Sequence, residues 1–298
     1  MLQAKFFNKT AVITGAASGL GKEIARLGAK LGMNLVLVDF NEQALNVAAS
    51  DISDSKINSN QKHMTLTCDV ADPSKVDLVG KLTFKEFGAP NYVFNNAGIA
   101  CAGFAWEHSA DDWKKFLDIN IMGAVHGINT FTPMMLEAAK ADPDYRGRII
   151  NTASMAGLVT MPLAGMYNVS KQSMVALSES LYNDLRLVTD QVSASVLCPF
   201  FIPTNISKKE SSPIAAQEDD SLTASQKVGK AFMTKAVASG KLTAEQLADM
   251  VFDALDKDIF YIYSHPGSLE TFKSRADDIL QQRNPTDPYI SKPEFGVQ

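Results

Sequence analysis

The sequence predicts an α/β protein: a single domain built on a doubly wound, parallel β-sheet of about seven strands flanked by helices. Three observations carry that expectation. Short apolar runs alternate with segments of helical length along most of the chain, the pattern of βαβ units with right-handed crossovers. Three long stretches, 87–106, 149–170 and 191–207, contain no charged side chain, as expected where a strand is covered by helices on both faces. A glycine-rich loop, "TGAASGLG" at 14–21, joins the first apolar run to the first helical segment.

The elements follow in order. "TAVIT" (10–14) reads as the first strand, 20–31 as an amphipathic helix and "NLVLVD" (34–39) as the second strand. Residues 41–51 read as helix, "HMTLTC" (63–68) as strand, 73–86 as helix and "NYVFN" (91–95) as the fourth strand. One long helix is expected over about 110–138, then strand 146–154, a helix over 165–188 and strand 192–198. After Pro199 the rhythm lapses. The stretch 200–240 is polar and poor in strand signal, so it reads as a substrate loop whose part 205–240 closes as a lid over ligand. Helix is expected again over 243–256, a last strand at 259–263, and a C-terminal extension over 265–298 whose helix packs on the domain or on a neighbouring subunit.

Composition bounds the function. With 298 residues, 46% hydrophobic and 20% charged, the chain has enough apolar content for one large core. The net charge of −5 comes without a polybasic block, which argues against nucleic acid as a partner. Each uncharged run is broken by Pro and by several Asn, Ser or Thr, so no membrane span is predicted. Cys68, Cys101 and Cys198 are odd in number and widely spaced; no disulfide framework follows, and a cytoplasmic setting is expected. His63, His108, His126 and His265 show no paired ligand spacing, so no metal site is predicted.

Two motifs carry chemistry. In the first loop, Gly15, Gly19 and Gly21 follow a strand and open a helix, where glycine lets the backbone approach a pyrophosphate that the helix N-terminus stabilises. A P-loop is excluded, because Gly21-Lys22 is followed by Glu23 and the residue five before Gly21 is Ala16. A glycine turn without ligand is the competing reading. Asp39, 18 residues beyond Gly21 at the end of the second strand, favours a dinucleotide: its carboxylate can accept from an adenosine ribose and repels a 2′-phosphate, so NAD is expected over NADP. The second motif is "YNVSK" at 167–171. On a helix Tyr167 and Lys171 share a face, and an ammonium beside a phenol lowers a pKa that starts near ~10. That makes a tyrosine an acid/base group near neutral pH.

Together, "TGAASGLG", Asp69 in "CDV", "NNAG" at 95–98, Asn120 in "DIN", Ser154 in "TASMAG" and Tyr167/Lys171 in "YNVSK" resemble the short-chain dehydrogenase/reductase family, in its own order and spacing. The likeness covers about residues 5–205, with a weaker match at 243–263. It implies a Rossmann-type fold and an NAD(P)-dependent oxidoreductase that interconverts a secondary alcohol and a ketone. By the same resemblance Tyr167 exchanges a proton with the substrate oxygen, Ser154 orients that oxygen, and Asn120 positions a water in a proton relay. Lys171 lowers the tyrosine pKa and holds the nicotinamide ribose. Gly15, Ser18, Gly19, Leu20, Gly21 and Asp39 align with the pyrophosphate and adenosine ribose, Asp69 and Val70 with the adenine, and Asn96, Ala97 and Gly98 with a turn against the cofactor. Pro199 and Thr204 align with the nicotinamide end. A homodimer or homotetramer is expected.

One departure stands out: the proline-glycine pair usual in the family after the sixth strand is Pro199-Phe200 here. The segments beyond the strand ends supply Phe104, Trp106, Met155, Leu158, Met161, Phe200, Phe201 and Ile202, a lining that favours an apolar or aromatic alcohol or ketone. Rival functions fare less well. A serine hydrolase needs GxSxG, which neither Ser154 nor Ser18 satisfies. An extended-family epimerase or dehydratase usually carries GxxGxxG, and a dinucleotide-binding regulator without turnover would show a damaged triad.

Overall fold

The computed structural model describes residues 2–204 and 221–290. Its seven strands are Thr10–Thr14 (β1), Asn34–Asp39 (β2), His63–Thr67 (β3), Tyr92–Asn95 (β4), Gly147–Thr152 (β5), Val192–Cys198 (β6) and Tyr261–Tyr263 (β7). They form one sheet in the order β3-β2-β1-β4-β5-β6-β7, and every pairing is parallel. This is the expected doubly wound, Rossmann-type sheet, with its order reversing between β1 and β4.

The period-2 rule divides the strands between two cores. Val12, Val36, Val93 and Ile149 stand in register and face one layer. Their neighbours Ile13, Leu37, Phe94 and Ile150 face the other. The first layer is covered by helices Pro73–Phe87 (α4), Gly123–Ala141 (α6) and Gly165–Arg186 (α7), which contribute Val76, Phe131 and Leu181. The second is covered by Gly19–Lys30 (α2) and Ala244–Asp256 (α9), through Ile24, Leu247 and Phe252. Helix Glu42–Ser53 (α3) extends it with Leu45 and Ile52.

Three elements depart from the sequence reading. A short helix, Leu2–Phe6 (α1), precedes β1 and buries Phe6 against Tyr92 and Phe252, with ring centroids 5.3 and 4.9 Å away. Burying such a ring contributes about 1.5–3 kcal/mol toward holding this turn of helix on the sheet. The single helix expected over 110–138 is divided into Ala110–Leu117 (α5), a π-helical turn at Asp118–Met122, and α6.

In the stretch expected to be a lid, residues 221–238 are structured: helix Ala224–Ala238 (α8) opens on a capping box between Thr223 and Gln226. The rest of the expected lid, 205–220, lies outside the described residues. The C-terminal extension folds as Leu269–Leu280 (α10) and packs on its own domain, where Leu269 and Phe272 meet the cluster of Met174 and Val196. No helix among the described residues is long and apolar enough to cross a membrane.

Candidate active site

Beyond the carboxyl ends of β1, β4, β5 and β6 lies a cavity of about 470 Å³. The glycine loop forms one wall. Gly15 and Gly19 hold φ of 69° and 54°, values that favour glycine. Gly21 is required for a different reason: a Cβ there would lie 2.2 Å from the Gly15 carbonyl oxygen. It shapes the loop from behind, and the cavity is lined by Gly15, Ser18, Gly19 and Leu20 rather than by Gly21. Ser18 precedes α2 without a side-chain cap, so the first amide groups of α2 stay available to an anion.

The loop is braced by neighbouring strand ends. The Ala16 amide donates to the Val38 carbonyl at 3.1 Å, and the Ala17 amide donates to the Asp39 carboxylate at 3.1 Å. Asp39 also accepts from the Asn41 amide at 3.0 Å. Burial pushes its pKa above the usual carboxylate value, while these backbone donors pull it back. The Thr14 hydroxyl accepts from the Asn96 and Ala97 amides at 2.9 and 3.0 Å, which locks the 96–98 turn against Gly15. Asp69, Val70, Ala97, Gly98, Pro199 and Thr204 also line the wall, and Thr204 lies beside Gly19. This cradle fits a dinucleotide: backbone amides and a bare helix start face a channel flanked by two carboxylates.

Ser154, Tyr167 and Lys171 line the same cavity. Ser154 lies just past β5, which ends at Thr152 rather than continuing as expected, because the Ser154 hydroxyl accepts from the Ala156 amide at 3.1 Å and opens a tight turn at Met155–Gly157. The Ser154 hydroxyl donates to the Pro199 carbonyl at 3.4 Å and lies near enough to the Tyr167 phenol to lower its pKa. Tyr167 and Lys171 lie one turn apart on α7, and the lysine Nζ stands 5.6 Å from the centroid of the phenol ring. Lys171 is buried and donates to the Thr152 carbonyl at 2.9 Å.

The electrostatics differ from the expected lowering of the phenol by the lysine. Burial pushes the Tyr167 pKa up, with the Ser154 hydroxyl pulling the other way. Burial also holds Lys171 down, at about 8. Both groups are driven toward their neutral forms, because desolvation disfavours phenolate and ammonium alike.

Asn120 is not at the wall. The π-helical turn aims its amide inward, where Oδ1 accepts from the Ile99 amide at 2.8 Å and Nδ2 donates to the Ile99 carbonyl at 2.9 Å and to Ser170 at 3.2 Å. It holds the loop after Gly98 in place, and a Cβ on Gly98 would lie 3.3 Å from its oxygen.

Of the apolar residues expected to line the pocket, Met155, Met161, Phe200, Phe201 and Ile202 do so. Phe104 does not: its ring is 40% exposed and stacks on Trp106 at 4.5 Å, where the two shield each other outside the cavity. Leu158 is buried in the core beside Met174. Phe200 needs no glycine-like backbone, since it is not among the residues of positive φ, and its amide donates to Ser264 at 2.8 Å. Sequence reasoning missed Phe232, Met233 and Val237 of α8, and Tyr289. The Thr223–Gln226 capping box announces α8; no local signal points to Tyr289. Among the described residues no cluster of His, Cys, Asp or Glu is arranged to hold a metal ion.

The profile of the short chain dehydrogenase family matches residues 9–215. A CLA biosynthesis dehydrogenase/reductase of Lactiplantibacillus plantarum is 32% identical over 284 residues, 94% of this chain and 96% of the relative. The 1-deoxy-11-beta-hydroxypentalenate dehydrogenase of Streptomyces exfoliatus is 27% identical, over 91% of this chain and 88% of its own. The crystal structure of a short chain dehydrogenase/reductase from Burkholderia phymatum, in complex with NAD, superposes with a TM-score of 0.87 at 40% identity, covering 95% of this chain and 98% of that one. With sequence profile, relatives and sheet order in agreement, the chain belongs to the short-chain dehydrogenase/reductase family of oxidoreductases.

Proposed function

We propose that the protein interconverts a secondary alcohol and its ketone with NAD(H), on substrates whose body is apolar or aromatic. One observation carries this reading: Ser154, Tyr167 and Lys171 line one cavity that also runs along the glycine loop and Asp39. The cofactor supplies or accepts the hydride. The chain supplies the proton and the orientation. Tyr167, kept neutral by burial, donates to a carbonyl oxygen as that oxygen gains negative charge. Ser154 donates a second hydrogen bond to the same oxygen and fixes its place beside the phenol. Lys171, with a pKa of about 8, is mostly charged near neutral pH; it stabilises the phenolate left after transfer and offers ribose hydroxyls a donor.

Asp39 supports NAD over NADP. Its carboxylate already accepts two backbone amides, and a 2′-phosphate beside it would meet repulsion. The NAD held by the Burkholderia phymatum relative agrees with this preference. Methionine and phenylalanine in the wall support an apolar substrate body. Three free, buried cysteines fit a reducing, cytoplasmic setting. A coenzyme-consumption screen against secondary alcohols and ketones tests the reading. Turnover of aryl or alkyl ketones with NADH is expected; turnover confined to polyols, or better kcat/KM with NADPH, would overturn the corresponding part.

A further inference from the structure

Glycine inside a helix costs stability relative to alanine, yet α8 carries Gly229, buried, within its span. What surrounds that position accounts for the choice. A Cβ on Gly229 would lie 2.7 Å from the Cβ of Ala102 and 3.4 Å from the Cβ of Leu163. The first distance is far inside ordinary carbon contact. Helix α8 therefore lies as close to the loops after β4 and β5 as a helix without a side chain allows.

Those two loops are pinned to each other. The Gly103 amide donates to the Leu163 carbonyl at 2.9 Å, and Gly103 pairs with Ala164 in an isolated parallel bridge. Leu163 holds φ of 57°, a left-handed value that a leucine keeps only where its surroundings over-determine it. Gly103 is crowded from α8 in turn: a Cβ on it would lie 2.6 Å from Cγ of Gln226, one turn before Gly229. The Phe104 amide donates to the Ser225 hydroxyl at 3.1 Å. Ser225, Gln226 and Gly229 thus seat the start of α8 on the paired loops.

Gly229 shares a helix face with Phe232 and Met233, three and four residues on, and all three line the cavity, as do Ala102 and Leu163. Phe232 meets Phe201, another wall residue, edge-on at 6.3 Å. The loop that holds Leu163 runs into α7 and reaches Tyr167 four residues later. The seat at Gly229 fixes how far the apolar face of α8 stands from that loop.

We infer that Gly229 is a specificity-determining position: having no side chain, it seats α8 directly on Ala102 and Leu163, and the narrow cavity that results selects slim, unbranched substrate bodies over bulky, branched ones. The inference rests on the alcohol/ketone reading above and adds the shape of the substrate to it.

The test compares the native protein with Gly229→Ala, reading kcat/KM with NADH for a linear methyl ketone and for adamantyl methyl ketone of equal carbon count. Alanine is the better helix former, so helix propensity by itself predicts a raised Tm and an unchanged ratio of linear to bulky ketone. The crowded contact instead predicts that α8 is pushed outward and that the ratio falls about 5- to 20-fold, mainly through KM. Adding Ala102→Gly to Gly229→Ala removes the opposing methyl and is expected to return the ratio to within about two-fold of native. An unchanged ratio, or a fall that the double variant does not reverse, overturns the inference and leaves the alcohol/ketone reading standing. So does a ratio that rises, since the new methyl would then be filling the cavity rather than moving its wall. If Gly229→Ala does not fold, Ala102→Val crowds the same contact from the loop side: a shift toward the bulky ketone upholds the inference and any other result overturns it. If the native protein reduces neither ketone, the alcohol/ketone reading falls, and calorimetric Kd values for the two matching alcohols in the presence of NAD decide Gly229 by the same ratio; failure of the native protein to bind either alcohol counts against it.

Discussion

Lys171 stands over the face of the Tyr167 ring, Nζ 5.6 Å from its centroid, and gives its hydrogen bond to the Thr152 carbonyl at 2.9 Å. The pair is the one-turn neighbour relation that the spacing in "YNVSK" predicts. Enclosure decides its electrostatics: both groups lose solvent, and both are pushed toward neutrality.

That cost is measurable as a pH dependence of stability. The folded pKa of Lys171, about 8, lies below its ordinary value of 10.5, so the unfolded chain binds this proton more tightly. The penalty is fully present below about pH 8 and fades as pH rises toward the unfolded value. Lys171→Met is therefore expected to be more stable than the native protein near neutral pH, by about 1–3 kcal/mol after allowing for the lost bond to Thr152. Denaturant titrations should show the gap narrowing in mildly alkaline buffer. A gap that widens would reverse the sign argued here.

Tyr167→Phe is expected to lower kcat by ~10²–10⁴ and to leave the dinucleotide Kd within a few fold, because the phenol serves proton transfer. Steady-state kinetics and a fluorescence titration with NADH check both halves. Retention of more than about a tenth of native kcat would be too small a loss for a general acid/base group.

Asp39→Asn removes the charge and keeps an acceptor for the Ala17 or Asn41 amide. The ratio of kcat/KM for NADH over NADPH is expected to fall by about ten-fold or more, mainly through a lower KM for NADPH. An unchanged ratio would mean that other groups set the coenzyme preference.

Glu107 clasps the start of α8. Its carboxylate accepts from the Thr223 hydroxyl at 2.7 Å and from the Ser225 hydroxyl, and Ser225 in turn accepts from the Phe104 amide at 3.1 Å. Since α8 carries Phe232, Met233 and Val237 into the cavity wall, Glu107→Ala is expected to raise the substrate KM several-fold and to speed proteolysis within 224–238. The global Tm should change little, because surface carboxylates contribute little to overall stability. Proteolysis at the native rate would show that the clasp does not hold the wall.

Much of the fold was legible in the sequence because its signals are local. Apolar runs mark the strands, and all seven begin and end within two residues of their expected positions. The glycine loop, Asp39, Ser154 and the Tyr167–Lys171 pair were legible for the same reason: each depends on its immediate neighbours and on a strand end.

Tertiary packing decided the rest. Helix α1 exists because Phe6 finds Tyr92 and Phe252 across the chain, partners that no local pattern names. Phe104 and Phe200 are both phenylalanines in the loops that follow a strand, yet one stacks on Trp106 outside the cavity and the other lines it. Composition is identical in the two cases, and the direction of each loop makes the difference. Asn120 was expected to position a water in a proton relay; the π-helical turn sets its amide on Ile99, a contact that no local pattern announces. Tyr289 reaches the cavity through an ion pair and turns specific to this tail. The sequence by itself determined the strands, the glycine loop with Asp39 and the spacing of Tyr167 and Lys171; which side chains close the far end of the cavity was decided by long-range contacts, whose partners lie too far apart along the chain to leave a periodic signal.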